Sequence, residues 1–116
     1  MRNNNKLIHL KVDLDDDNQK IQKYIEYHSN VWPEVIEDLK ERGVDRMRIF
    51  ISENRLNMIL EVPKDFQLND GIHKTPPSEK VAEWSELMTS FSKTNEDGRR
   101  DSWEPTELIF DTEDYY

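Results

Sequence analysis

The chain has 116 residues, most economically one domain over residues 1–116, with an ordered core at about 7–112 between a polar N-terminus and an acidic C-terminal tail. Its lack of cysteine excludes disulfides and thiolate metal sites, and a net charge of −9 disfavours nucleic acid and anionic membrane surfaces, which select clustered Lys and Arg. No apolar signal core opens the chain and no stretch nears the roughly 20 apolar residues of a membrane span, so the expected setting is the cytoplasm.

Residues 7–14 alternate, with Ile8, Leu10, Val12 and Leu14 on one side and His9, Lys11 and Asp13 on the other, which predicts a strand. After "DDDN", residues 19–30 place Ile21, Tyr24, Ile25 and His28 at i, i+3, i+4 and i+7, one face of a helix. Pro33 suits a first helical position and Gly43 a C-terminal stop, so a second helix fills the interval. "RMRIFIS" and "RLNMILEV" alternate about the turn-like "ENR" and predict an antiparallel hairpin. Residues 63–77, with "NDG" and "TPP", read as a long loop of the kind that is often functional or mobile. Val81, Trp84, Leu87, Met88 and Phe91 then recur at helical spacing, and a polar loop, "KTNEDGRRD", leads to a last short strand around "TELIF". No internal repeat is visible.

Strand, helical pair, strand, strand, helix, strand is the order of a split βαβ, ferredoxin-like α+β protomer: an antiparallel sheet with helices on one face. Leu7, Phe50, Ile59 and Ile109 lie beside the main apolar rows, so the other sheet face needs a cover, and the expected cover is a second copy in a homodimer.

For chemistry, His28 leads. Imidazole titrates near neutrality, and Tyr24 lies one turn earlier on the same helical face, so the pair can converge on one hydroxylated molecule. The competing reading is a packed histidine satisfied by a backbone carbonyl beside a core tyrosine, and spacing alone leaves both open. Trp32, Trp84 and Trp103 offer flat walls for the C–H faces of a sugar, against ordinary core packing, which fits Trp84 best because it is in register with apolar neighbours. His9, His28 and His73 have no compact ligand spacing, so no metal is expected. Glu26 and Glu34 are not singled out among many acids as a glycosidase pair, and Arg99 and Arg100 read as a solvated pair before an anion site. Gly-rich phosphate loops, nucleophile elbows and dinucleotide fingerprints are absent from the sequence.

Together, "YIEYHSNVWPEV", "RMRIFISENRLNMILEV", "KVAEWSELM" and "WEPTELIF" resemble the L-rhamnose mutarotase family of sugar mutarotases, most closely its L-fucose-associated branch. The resemblance runs over about residues 7–110. It implies a ferredoxin-like protomer paired into a dimeric α/β barrel, a cofactor-free monosaccharide site, and a histidine acting in proton transfer, which falls on His28. Tyr24 falls on the family's substrate-contacting tyrosine, and Trp84 on the first of a tryptophan pair whose second position is here Ser85. Rhamnose-type members carry a tyrosine where this chain has Met47, while Trp103 and "NRLNMILEV" are similar to the fucose-like branch. The resemblance thus implies an isomerase acting on a 6-deoxy-L-sugar, L-fucose before L-rhamnose, with Tyr24, Trp32, Met47, Trp84 and Trp103 around the substrate. A small oxygenase on the same barrel, or a sugar-binding dimer without turnover, are the rival readings.

Overall fold

A computed structural model describes residues 5–116; the start of the expected polar N-terminus, residues 1–4, lies outside the described residues. The chain runs β1 (Asn5–Asp13), α1 (Asn18–Tyr27), α2 (Pro33–Arg42), β2 (Arg46–Ser52), β3 (Arg55–Pro63), α3 (Glu79–Thr89) and β4 (Glu104–Pro105). The strands form one antiparallel sheet in the order β2-β3-β1-β4, the ferredoxin-like α+β arrangement that the element order predicts.

The alternation in the strands becomes two faces. Leu10, Val12, Leu56, Met58, Leu60 and Val62 are buried, with Met47 and Ile49 half-buried in register beside them. Tyr24 and Ile21 of α1, Leu39 of α2, and Leu87 and Met88 of α3 pack onto this face, completing the core. The opposite face carries Leu7 and Phe50, 62% and 55% exposed. Among the described residues no helix is long and apolar enough to cross a membrane.

Local chemistry sets the helix ends. The Asp17 carboxylate caps α1 by accepting from the backbone N–H groups of Gln19 and Lys20, and Ser78 caps α3 by accepting from that of Val81. Pro33 opens α2, and Gly43 closes it at φ 103°, a left-handed conformation that favours glycine. α1 ends three residues earlier than predicted, because the Ser29 hydroxyl donates to the Glu26 carbonyl at 2.6 Å and draws the chain out of the helix. Ile25, expected on the buried face, sits at its rim and is exposed.

Two expectations change. The last strand is not at "TELIF": only Glu104 and Pro105 pair with β1, opposite Lys11 and Leu10, and Thr106 adds one backbone bond to the His9 carbonyl. Beyond it Leu108, Ile109 and Phe110 leave the sheet, Ile109 being 90% exposed. The long loop, in turn, is tied down. Phe66 is buried, a single 3-10 turn forms at Leu68–Asp70, and the Arg42 guanidinium lies over the Phe66 ring while donating to the carbonyls of Gln67 and Gly71.

Candidate functional site

His28 caps the C-terminal end of α1, and its Nδ1 meets the Tyr24 carbonyl oxygen at 2.8 Å. A carbonyl oxygen only accepts, so Nδ1 carries the proton and the neutral ring presents the lone pair of Nε2. Burial pushes the imidazole below its ordinary value, partly opposed by the bond to the Tyr24 carbonyl, which favours the protonated form. The group is therefore a neutral base at neutral pH.

The Tyr24 ring stacks on His28, with centroids 4.3 Å apart and planes 22° from parallel. Its side chain is 6% exposed, and its hydroxyl bonds to no described residue. No fully buried side-chain polar atom among the described residues lacks a partner, so this hydroxyl keeps some accessible surface. Burial raises the phenol well above its usual range. Tyr24 thus stays protonated and can donate, but cannot serve as a base.

Both side chains line a cavity of about 280 Å³ between the inner sheet face and the helices. That is just below the usual range of ligand sites, roughly 300 to 1,000 Å³, and suits a monosaccharide better than a nucleotide. Met47, Ile49, Leu56 and Met58 form its apolar floor; Trp84 and Ser85 of α3, with Trp103 ahead of β4, form the walls. Trp84 stands edge-on to His28 at 5.4 Å, so it is both a packed core residue and a wall. Trp32 does not line this cavity. It backs Trp84 at 5.2 Å and borders a separate depression with Lys23, Glu26 and Tyr27, which places it behind the wall.

The cavity also holds polar groups that sequence reasoning missed. His73, weighed only as a metal ligand, lines it from the long loop with Nδ1 2.7 Å from Oδ2 of the buried Asp38. Arg100 and Asp101 form another part of the wall: the Arg100 guanidinium donates to the Ser92 carbonyl at 2.8 Å, and Asp101 accepts from the Asp13 backbone N–H at 2.8 Å. Arg99, its sequence neighbour, is 87% exposed at the side chain, so the expected solvated pair is split between solvent and site. Only the length of the 63–77 loop hinted at His73.

The remaining candidates scatter. His9 lies outside the cavity, bonded through its two ring nitrogens to Thr106 and Asn57. Neither Glu26 nor Glu34 reaches the cavity. Among the described residues no group of three or more His, Cys, Asp or Glu side chains is arranged to hold a metal ion.

Comparison with known proteins gives one consistent answer. The sequence pattern of the family described as L-rhamnose mutarotase matches residues 8–112. The L-fucose mutarotase of Xanthomonas campestris pv. campestris is 33% identical over 84 residues, covering 71% of this chain and 67% of that protein. A Dictyostelium discoideum protein whose name states no activity is 35% identical over 105 residues, 86% of this chain and 84% of its own. The crystal structure of an L-rhamnose mutarotase from Formosa agariphila, 28% identical, superposes with a TM-score of 0.65, covering 90% of this chain and 96% of that one.

Proposed function

Because the chain belongs to the L-rhamnose mutarotase family, we propose that it interconverts the α and β anomers of a 6-deoxy-L-sugar, L-fucose in preference to L-rhamnose, by acid/base ring opening at His28. The observation that carries this reading is the state of His28: a neutral imidazole whose Nδ1 is held by the Tyr24 carbonyl and whose Nε2 has no partner among the described residues, at a sugar-sized cavity.

Anomer exchange requires a proton to leave the anomeric hydroxyl and another to reach the ring oxygen. The ring opens, the aldehyde turns about C1–C2, and closure on its other face gives the opposite anomer. Nε2 of His28 takes the anomeric proton and returns it at closure. Tyr24 donates to a sugar oxygen, while Trp84 and Trp103 set the pyranose plane and limit water. No bond change in this sequence calls for a metal or an organic cofactor. A general acid/base contribution of about 10² to 10⁴-fold is sufficient, since the uncatalysed exchange already proceeds.

The preference for L-fucose rests on Met47 and Ser85, which line the cavity where rhamnose-type members carry large aromatic groups. A homodimer rests on the open sheet face, with Leu7 and Phe50 exposed, and on the outlying Leu108, Ile109 and Phe110. NMR saturation transfer between the anomers of L-fucose, with and without the protein, tests the proposal. Faster exchange supports it; sugar binding without faster exchange leaves a binding protein, and oxygen uptake with an activated aromatic substrate points to the oxygenase.

A further inference from the structure

Asp38 sits in the middle of α2, 7% exposed, where an unmatched carboxylate would be costly. It is matched twice: Oδ2 accepts from His73 Nδ1 at 2.7 Å and Oδ1 from the Lys74 backbone N–H at 3.2 Å. With Nδ1 committed, the nitrogen left to the His73 ring is Nε2, which bonds to no described residue, and the ring lines the same cavity as His28, Tyr24 and Trp84. Arg42, through the carbonyls of Gln67 and Gly71, and the buried Phe66 hold the loop as far as Gly71, and the Asp38 bonds fix residues 73 and 74 at the cavity.

Transfer at both oxygens in one step needs two proton positions, and a single neutral imidazole supplies one. With Nδ1 on a backbone carbonyl, His28 starts with a lone pair at Nε2 and gives a proton there only after taking one. His73 differs in its partner: a carboxylate orients the ring and balances the charge of an imidazolium. We infer that His73, oriented by Asp38, is the second catalytic residue of this cavity, delivering to the ring oxygen the proton that must arrive as His28 removes the one on the anomeric hydroxyl. This rests on the mutarotase reading above.

In the opening step the O1–H electrons become the second C1–O1 bond and the proton goes to His28 Nε2. The C1–O5 pair goes to O5, which takes the proton from His73 Nε2. Closure reverses both transfers on the other face of the aldehyde, so both residues return to their starting states. Asp38 touches no substrate and is a positioning residue. The charged and titratable groups around His73 are Asp38 on α2, Glu41 paired with Lys74 at the adjoining turn, and His28, Arg100 and Asp101 on the cavity wall.

The test is anomer exchange of L-fucose and L-rhamnose by NMR saturation transfer between about pH 5 and pH 9, the range in which imidazoles titrate, on the full chain and two variants. His73→Asn places an amide nitrogen where Nδ1 donates to Asp38 but removes Nε2. It should keep the thermal midpoint while kcat falls by about 10²-fold or more with KM little changed. Asp38→Asn keeps an acceptor for the Lys74 amide but takes away the carboxylate that fixes the ring, so kcat should fall by about 10-fold or more with KM little changed. A purely structural pair would lower the thermal midpoint and leave kcat of the folded variants in place. Wild-type kcat in either folded variant overturns the inference alone. If His73→Asn does not fold, the split between kcat and KM in Asp38→Asn decides. Wild-type protein that accelerates neither sugar overturns this inference and the mutarotase reading together.

Discussion

Replacing Tyr24 with Phe separates a core tyrosine from a substrate contact, because the two roles predict opposite pairs of results. The ring contributes through its stack on His28 at 4.3 Å and its edge contact with Phe91 at 6.2 Å, and phenylalanine keeps both. The hydroxyl has no partner among the described residues, so its removal breaks no hydrogen bond of the fold. Stability should therefore change by less than about 0.5 kcal/mol. In the sugar complex the same removal leaves one sugar oxygen unpaired in a cavity poor in water, at a cost of about 1–3 kcal/mol. At about 1.4 kcal/mol per tenfold, that is roughly a 5- to 150-fold loss in kcat/KM. Thermal unfolding reads the first quantity and saturation transfer the second. A variant that loses several degrees of thermal midpoint while exchanging anomers at the wild-type rate would show that the hydroxyl serves the fold, and the substrate role would fall.

His28→Asn keeps a donor for the Tyr24 carbonyl but removes the base, so the folded variant should lose about 10² to 10⁴-fold of its catalysis; unchanged exchange removes His28 from the mechanism. Burial holds the folded-state value of His28 below the ordinary value of about 6.5, so its stabilising contribution is complete above that pH and is lost as pH falls through the folded value. Denaturant titrations of wild type and His28→Asn should accordingly converge toward acid, and a constant gap between them counts against a buried neutral imidazole. Exhaustively chelated protein should keep its full exchange rate, whereas activity restored only by added metal contradicts the cofactor-free reading. L-fucose should show the higher kcat/KM of the two sugars, because a buried group left unpaired by the wrong hydroxyl orientation costs about 1–3 kcal/mol; equal or better turnover of L-rhamnose rejects that preference and leaves the family intact.

Most of the fold was legible because its signals are local. The hairpin of β2 and β3 follows from alternation on both sides of a short turn, and α2 from a proline and a glycine placed about one short helix apart. β4 was misplaced by the same logic applied to the wrong residues. Leu108, Ile109 and Phe110 are the apolar members of "TELIF", and an apolar run needs burial somewhere, but pattern alone does not say against which surface. Pairing falls instead on Glu104 and Pro105, and Pro105, lacking an N–H, cannot extend the ladder as a donor. A segment that leaves Leu108, Ile109 and Phe110 mostly exposed is what the proposed second copy would cover.

The site was legible where its residues share one helix and illegible where they meet across the chain. Tyr24 and His28 are four residues apart, so helical periodicity alone puts them on one face, and the stacked rings follow from that spacing. Asp38 and His73 are thirty-five residues apart, on α2 and on a loop whose path no periodicity encodes. As single letters they are one of many acids and one of three histidines. Their pairing depends on the loop folding back over α2, which Arg42 and Phe66 enforce through contacts equally distant in sequence. The place of Trp32 was illegible for the converse reason: composition identifies a tryptophan near the site, while only packing decides that Trp84 lines the cavity and that Trp32 stands behind it. Sugar preference belongs to the same category. In the proposed complex it would depend on polar groups such as Ser85, Thr89, Arg100, Asp101 and Ser102, which reach the cavity from α3 and the segment before β4, so no single motif can encode it.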